Sequence, residues 1–159
     1  MLVSHEFGPF YDEDSKILIL GSFPSVKSRE LQFYYGHAQN RFWKVLAACF
    51  DELVPNSVEE KKNFLKANHI ALWDVIESCE IIGSSDASIK NAKPTDLEIL
   101  IDQAKIELIL VNGKTAMKYF KKFHNHISIP VYCMPSTSPA NAAKSLNDLI
   151  EEWKIVKSI

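Results

Sequence analysis

The 159-residue chain lacks the features that would place it in several large classes. No stretch approaches the ~20 consecutive apolar residues that cross a bilayer. The opening Met1-Leu2-Val3-Ser4-His5-Glu6 has neither the basic flank nor the apolar core of a signal peptide, so a cytoplasmic location and no membrane partner are expected. Cysteine is scarce: Cys49, Cys79 and Cys133 are far apart and odd in number, with no Cys-x-x-Cys spacing. That excludes a disulfide framework and a four-cysteine iron-sulfur or zinc site within one chain, and predicts buried, reduced thiols. Charge runs and low-complexity tracts are absent, and Gly, Pro and Ser fall between elements instead of forming one linker.

What remains is an ordinary globular composition, 47% hydrophobic and 24% charged. It suits one domain over residues 1–159 with a single core. A net charge of -2 and a pI near 6.2 argue against a protein that coats nucleic acid, since such binding rests on phosphate neutralisation. Basic residues do gather locally: Lys27, Arg29, Arg41 and Lys44 early in the chain, and Lys114, Lys118, Lys121 and Lys122 at helical spacing.

The run Lys16-Ile17-Leu18-Ile19-Leu20, stopped by Gly21 and Pro24, reads as a strand buried on both faces. Ile70–Trp73, Leu108–Val111 and Pro130–Met134 are further short strands ending in turn residues. Helical patterns lie between them: Arg41–Phe50, Ser57–Asn68 with a capping box at Ser57 and Glu60, Thr95–Ala104 with another at Thr95 and Glu98, and Lys114–Phe123. A last helix is expected from Ser138-Pro139 through Trp153, and Glu80–Pro94 reads as a long loop. Alternating strands and helices predict an α/β fold, a three-layer α/β/α sandwich with a central, mainly parallel four-stranded sheet. Ligands in such folds sit beyond the carboxyl ends of the strands, here after Leu20, Trp73, Val111 and Met134.

Two loops occupy those ends: Gly21-Ser22-Phe23-Pro24-Ser25, and Met134-Pro135-Ser136-Thr137-Ser138-Pro139-Ala140-Asn141. With Phe33-Tyr34-Tyr35-Gly36-His37-Ala38-Gln39-Asn40-Arg41-Phe42-Trp43, they resemble the uracil-DNA glycosylase superfamily, most closely its hypoxanthine-DNA glycosylase branch. Ser88-Ile89-Lys90-Asn91 and Val111-Asn112-Gly113 extend the resemblance over most of the chain. It implies hydrolysis of a base–sugar bond without a cofactor. Better-known branches carry a catalytic Asp or Asn at the third position of the first loop, where this chain has Phe23. Phenylalanine cannot orient water. The hypoxanthine branch places an Asn within Gly-His-x-Gln-Asn-Arg-Phe-Trp, which maps to Asn40, whose amide could hold a hydrolytic water under C1′. Position alone favours Asn40 as a helix cap, the resemblance favours catalysis, and both roles coexist if its amide also faces the cleft.

A base taken out of the stack needs an aromatic surface and polar groups for its Watson–Crick edge. Gly21, Ser22, Phe23, Pro24 and Ser25, with Phe33, Tyr34 and Phe42, are the candidates for holding it, although buried aromatics are more often core. Asn91 is the candidate for reading its edge, because a carboxamide both donates and accepts. Ser136, Thr137, Ser138 and Pro139 are candidate DNA contacts at a helix start. His124 and His126 have no nearby third ligand, and no metal is assigned. The expectation is a monofunctional glycosylase acting on DNA that contains a deaminated base, hypoxanthine first, with no obligate protein partner. The alternatives are removal of uracil, including mismatched uracil, by the same fold, and a non-catalytic module that binds a nucleotide or damaged DNA.

Overall fold

The computed structural model describes residues 2–158; Met1 and Ile159, which belong to the expected domain, lie outside the described residues. The chain runs β1 (Leu2–Ser4), β2 (Ile17–Gly21), α1 (Val26–Leu31), α2 (Phe42–Cys49), α3 (Val58–Ala67), β3 (Ile70–Asp74), β4 (Ile76–Glu80), β5 (Lys90–Pro94), α4 (Leu97–Gln103), β6 (Leu108–Asn112), α5 (Lys114–Phe123), β7 (Val131–Met134) and α6 (Leu146–Trp153). Strands β3-β2-β6-β7 form a four-stranded parallel sheet in that order. Every residue of β2 and β3 is buried, so helices and loops cover both sheet faces, which gives the α/β/α sandwich. The continuous apolar sequences of these strands are the consequence of that double burial.

Side-chain caps start three of the six described α-helices. Ser57 caps α3, its hydroxyl accepting from the Glu60 N–H at 3.0 Å. Helix α2 follows an apolar stripe in which Phe42, Val45, Leu46 and Ala47 are buried, and it packs against α6. Phe42 meets Trp153 edge to face, and both are fully buried. Truncating such an aromatic to alanine typically costs about 3–5 kcal/mol.

The structure differs from the sequence reading in five places. The last helix begins at Leu146, not Ser138, because Ser145 and Asp148 form a reciprocal capping box. The preceding segment is held as a loop by Arg41, whose guanidinium donates to the carbonyls of Lys144, Ser138 and Asn141 at 2.5, 2.9 and 3.0 Å. Thr95 does not cap α4; its hydroxyl donates to the Asp74 carbonyl at 2.7 Å. Glu80–Pro94 is not one long loop, since β4 ends at Glu80 and β5 occupies Lys90–Pro94, and β4 pairs antiparallel with both β1 and β5 in a second, three-stranded sheet, leaving residues 81–89 between β4 and β5. Cys133 is exposed because β7 is an edge strand, while Cys49 and Cys79 are buried; all three are free thiols. Finally, α1 is a short helix in a segment with no clear periodicity, started by the Ser25 hydroxyl accepting from the Ser28 N–H.

The second sheet positions the site. The chain leaves β3 at Asp74 and enters β4 at Ile76, with the Val75 and Ile76 N–H groups donating to the Gly21 and Ser22 carbonyls at 2.9 and 3.2 Å. Strand β1 lies along β4, with Ser4 opposite Ser78, and this register brings His5 over the end of β3.

Candidate active site

The carboxyl ends of the parallel strands open into a cavity of about 310 Å³. Its wall is made by the loop Gly21–Ser25, by Tyr34, Tyr35, His37 and Asn40, by the strand-end residues Asp74 and Asn112, by the rim residues Ser84 and Asp86, and by Ser136–Ala140. This lies at the small end of the range for ligand pockets, about 300–1,000 Å³.

Asn40 sits just before α2, and its side chain is fully oriented. Oδ1 accepts from the Phe42 backbone N–H at 3.0 Å and from the Thr137 hydroxyl at 2.8 Å. Arg41 is the N-cap of α2 and makes no side-chain cap bond, so Asn40 satisfies the first helical N–H from one residue before the cap; both acceptor positions of Oδ1 are occupied, and Nδ2 has no partner among the described residues. Thr137 is 1% exposed and links two loops. Its hydroxyl accepts from Asn112 Nδ2 at 3.0 Å, and its backbone N–H donates to Asn112 Oδ1 at 3.1 Å. The Arg41 N–H also donates to the Thr137 carbonyl at 3.0 Å. Trp153 anchors the same loop from behind, donating from Nε1 to the Pro135 carbonyl at 3.0 Å.

Gly113 lies between β6 and α5 with φ of 99°, a left-handed conformation natural to glycine. A Cβ there would approach that of Ser136 to 3.2 Å. Tyr35 adopts φ of 53° without being glycine, a conformation that costs about 1–3 kcal/mol. It is held there by parallel stacking on Phe42, with centroids 3.9 Å apart. The Tyr35 hydroxyl is sealed from solvent without a hydrogen-bond partner. Burial above all, then the charge of Asp74, raises its pKa, against the opposing influence of the nearby Asn112 amide, so Tyr35 stays protonated.

Asp74, at the end of β3, is 4% exposed. Its Oδ2 lies 2.8 Å from His5 Nε2. Burial disfavours charge on His5, but the hydrogen bond and negative charge of Asp74, with help from Glu77, outweigh it and raise the pKa. Asp86 is at the rim, its carboxylate accepting from the Ser22 hydroxyl at 2.8 Å. Although it reaches the surface, crowding on the cavity side raises its pKa, opposed by the Ser22 hydrogen bond and reinforced by Asp74. At the cavity mouth, His37 Nδ1 accepts from the Gln39 N–H at 3.1 Å, which leaves the proton on Nε2 in the neutral ring.

The cavity's strand-end position and its loops have a counterpart in known proteins, because residues 9–158 match the uracil DNA glycosylase superfamily. The chain belongs to that superfamily. A hypoxanthine DNA glycosylase from Methanosarcina acetivorans is 34% identical over 157 residues, 98% of each chain. Another from Methanosarcina barkeri is 38% identical over 115 residues, 71% of this chain and 73% of its own. The solution NMR structure of a Methanosarcina acetivorans protein, described as a candidate uracil DNA glycosylase, matches with a TM-score of 0.81 at 31% identity and covers 99% of both chains.

Within this superfamily member, the residues singled out from sequence divide into two groups. Gly21, Ser22, Phe23, Pro24, Ser25, Tyr34, Asn40, Ser136, Thr137, Ser138 and Pro139 all line the cavity. Phe33, Phe42 and Asn91 do not. Phe33 stacks on Trp43 in the core, and Phe42 lies fully buried beneath Tyr35. Asn91 falls on exposed β5 with φ of 53°, and its amide donates to Glu80 on the neighbouring strand. Sequence reasoning passed over His5, Tyr35, His37, Asp74, Asp86 and Asn112 as site residues. Asp74 and Asn112 carried a usable signal, each being the polar residue that ends a continuous apolar strand. His5 carried none, since it meets Asp74 only through the pairing of β1 with β4. Among the described residues no group of three or more His, Cys, Asp or Glu side chains could hold a metal ion.

Proposed function

We propose that this chain, as one domain and without a cofactor or obligate protein partner, is a monofunctional DNA glycosylase that hydrolyses the N-glycosidic bond of a hypoxanthine nucleotide flipped out of DNA. The observation that carries the reading is the Asn40 amide, whose oxygen is fully engaged while its two N–H bonds remain available to a small molecule in the cavity. The flipped base enters beside Phe23 and Tyr34, and its sugar lies toward Asn40 and the Ser136–Pro139 loop. As the bond to the base stretches, the sugar becomes cation-like and needs only a well-placed water, not a strong base. Water held by Asn40 Nδ2 adds its oxygen to C1′, and its proton leaves for the departing base or solvent. The products are an abasic site and free base. No lysine lines the cavity, so a Schiff-base step has no nucleophile there.

The loop hydroxyls and backbone N–H groups of Ser136–Ser138 suit a flanking phosphate, with Pro139 at the duplex surface. The relatives named as hypoxanthine DNA glycosylases support this choice of base. Uracil is the second reading, favoured by the description of the NMR structure and by the ring N–H that uracil shares with hypoxanthine. No described helix is long and apolar enough to cross a membrane, in keeping with action on cytoplasmic DNA. The test is single-turnover incubation with duplexes containing hypoxanthine, uracil, xanthine or adenine, followed by alkaline cleavage. Rapid release of hypoxanthine with little release of uracil supports the proposal. Binding without release from any duplex would leave only a damage-recognition module.

A further inference from the structure

Taking a nucleotide out of a duplex leaves a hole in the stack, and a filled hole slows the return of the extruded base. The Ser136–Asn141 loop at the cavity mouth has little to fill it with, since its apolar residues are Pro139 and Ala140 and its Thr137 is buried. A second part of the rim is the segment between β4 and β5, from which Ser84 and Asp86 line the cavity. Two residues before Ser84 stands Ile82, 79% exposed, whereas its neighbour Ile81 packs against the core. Val26, bonded to the same segment, is 42% exposed.

An isolated apolar side chain on a surface needs no explanation, but this one is held out by a built support. The Ile82 N–H donates to Ser88 Oγ at 2.8 Å, and its carbonyl accepts from the Ser85 N–H at 3.1 Å. Gly83 follows with φ of 59°, a left-handed turn natural to glycine, after which Ser84 reaches the rim. The turn is clamped to α1: Arg29 Nη2 donates to the Gly83 carbonyl at 2.8 Å, and the Val26 N–H donates to Ser84 Oγ at 2.9 Å. The Ser22 hydroxyl ties Asp86 to the first cavity loop. The ordering that a loose loop would undergo on insertion is thus complete in the free protein.

Resting on the glycosylase reading, we propose that Ile82 is a wedge that enters the duplex and fills the space vacated by the flipped nucleotide. Its side chain is large enough to touch the base pairs on both sides of the hole, carries no polar atom to desolvate, and, being branched at Cβ, has few rotamers to lose. Burying it there restores apolar contact that the extruded base gives up. Arg29 at the turn and Lys27, which follows Val26 on α1, bring positive charge for the flanking phosphates. Ile82 acts through the stack and touches none of the reacting atoms, so it is a positioning residue.

The experiment measures single-turnover hypoxanthine release from a paired duplex and from the same duplex with the hypoxanthine inside a bubble of mismatched bases, where no intact stack has to be opened. The unaltered protein is compared with Ile82→Ala, Ile82→Leu and Pro139→Ala. Offsetting part of the unstacking of one base step predicts that Ile82→Ala loses about 10- to 100-fold on the paired duplex. On the bubble it should stay within about twofold, and its melting temperature should match that of the unaltered protein because the side chain is so exposed. Ile82→Leu, which keeps the apolar volume, should retain most of the duplex rate. A purely structural role for Ile82 would lower both rates together. The inference is overturned if Ile82→Ala keeps the full duplex rate, if it loses as much on the bubble as on the duplex, or if Pro139→Ala alone produces the duplex-specific loss; the glycosylase reading then still stands. If the unaltered protein releases hypoxanthine from neither substrate, the reading beneath the inference has failed.

Discussion

Thr137→Val removes one hydroxyl and keeps the volume and shape of the side chain. In the folded protein that hydroxyl donates to Asn40 Oδ1 at 2.8 Å and accepts from Asn112 Nδ2 at 3.0 Å. The valine leaves both amides short of a partner in a setting where Thr137 is 1% exposed. An unsatisfied buried polar group costs about 1–3 kcal/mol. Because the Thr137 N–H still binds Asn112 Oδ1 and Phe42 still binds Asn40 Oδ1, the lower half of that range is expected for the sum, about 2 kcal/mol. For a chain of this size the melting temperature should then fall by about 4–8 °C. The rate should fall by more than stability alone would require, about 10- to 100-fold, because Asn40 loses one of the two contacts that fix its plane. Thr137→Ser should restore both. The assays are thermal unfolding and single-turnover hypoxanthine release well below the melting transition. A Thr137→Val protein that melts lower yet turns over at the unaltered rate would refute the idea that this hydroxyl orients Asn40.

Two further expectations follow from the cavity floor and from the buried histidines. Gly21→Ala places a methyl group 2.6 Å from Asp74 Oδ1, so it should displace the carboxylate and lower hypoxanthine release at least about tenfold, even where circular dichroism shows the fold retained. The raised pKa of His5 means that its pairing contributes stability fully below the unfolded value near 6.5 and loses it as pH rises through the higher folded value. His124, whose pKa is lowered chiefly by burial, has the opposite sign, and its contribution is lost as pH falls. Thermal unfolding across about pH 5–9 should show the alkaline decline flattened in His5→Gln and the acid decline flattened in His124→Gln.

The parts legible in the sequence are those where one local rule acts alone. Ile17–Leu20 could only be a doubly buried strand, and Ser57 before an amphipathic run could only start a helix. Where two rules competed, tertiary contacts decided. Ser138-Pro139 and Ser145-x-x-Asp148 both resemble helix starts, and Arg41, about a hundred residues away in sequence, holds the intervening carbonyls in a loop. Strands β4 and β5 were hidden because β4 carries Glu77, Ser78 and Glu80 and the largely exposed β5 carries Lys90, Asn91 and Lys93, residues that otherwise mark loops. The candidate site shows the same division. Asn40 and the two strand-end loops stand out by composition, and Asp74 by ending an apolar strand, whereas the partner of Asp74, His5, is visible only once β1 brings it across 69 residues of sequence. Phe33 and Phe42 illustrate the converse, aromatics near the right place whose rings turn inward to support Tyr35 and Trp43.

The central claim, that Asn40 holds the water that completes base release, is tested most directly by single-turnover hypoxanthine release from Asn40→Ala, measured beside its thermal unfolding and its affinity for damaged duplex. Losing a positioned catalytic group commonly costs ~10²- to 10⁴-fold in rate, whereas losing only a helix cap costs ~1 kcal/mol. The account predicts a rate loss in that range, near-normal binding and a modest drop in melting temperature, with Asn40→Asp recovering the stability because its Oδ1 can still accept from Phe42 and Thr137. An Asn40→Ala protein that melts lower but releases hypoxanthine at nearly the unaltered rate would contradict it and leave Asn40 a cap.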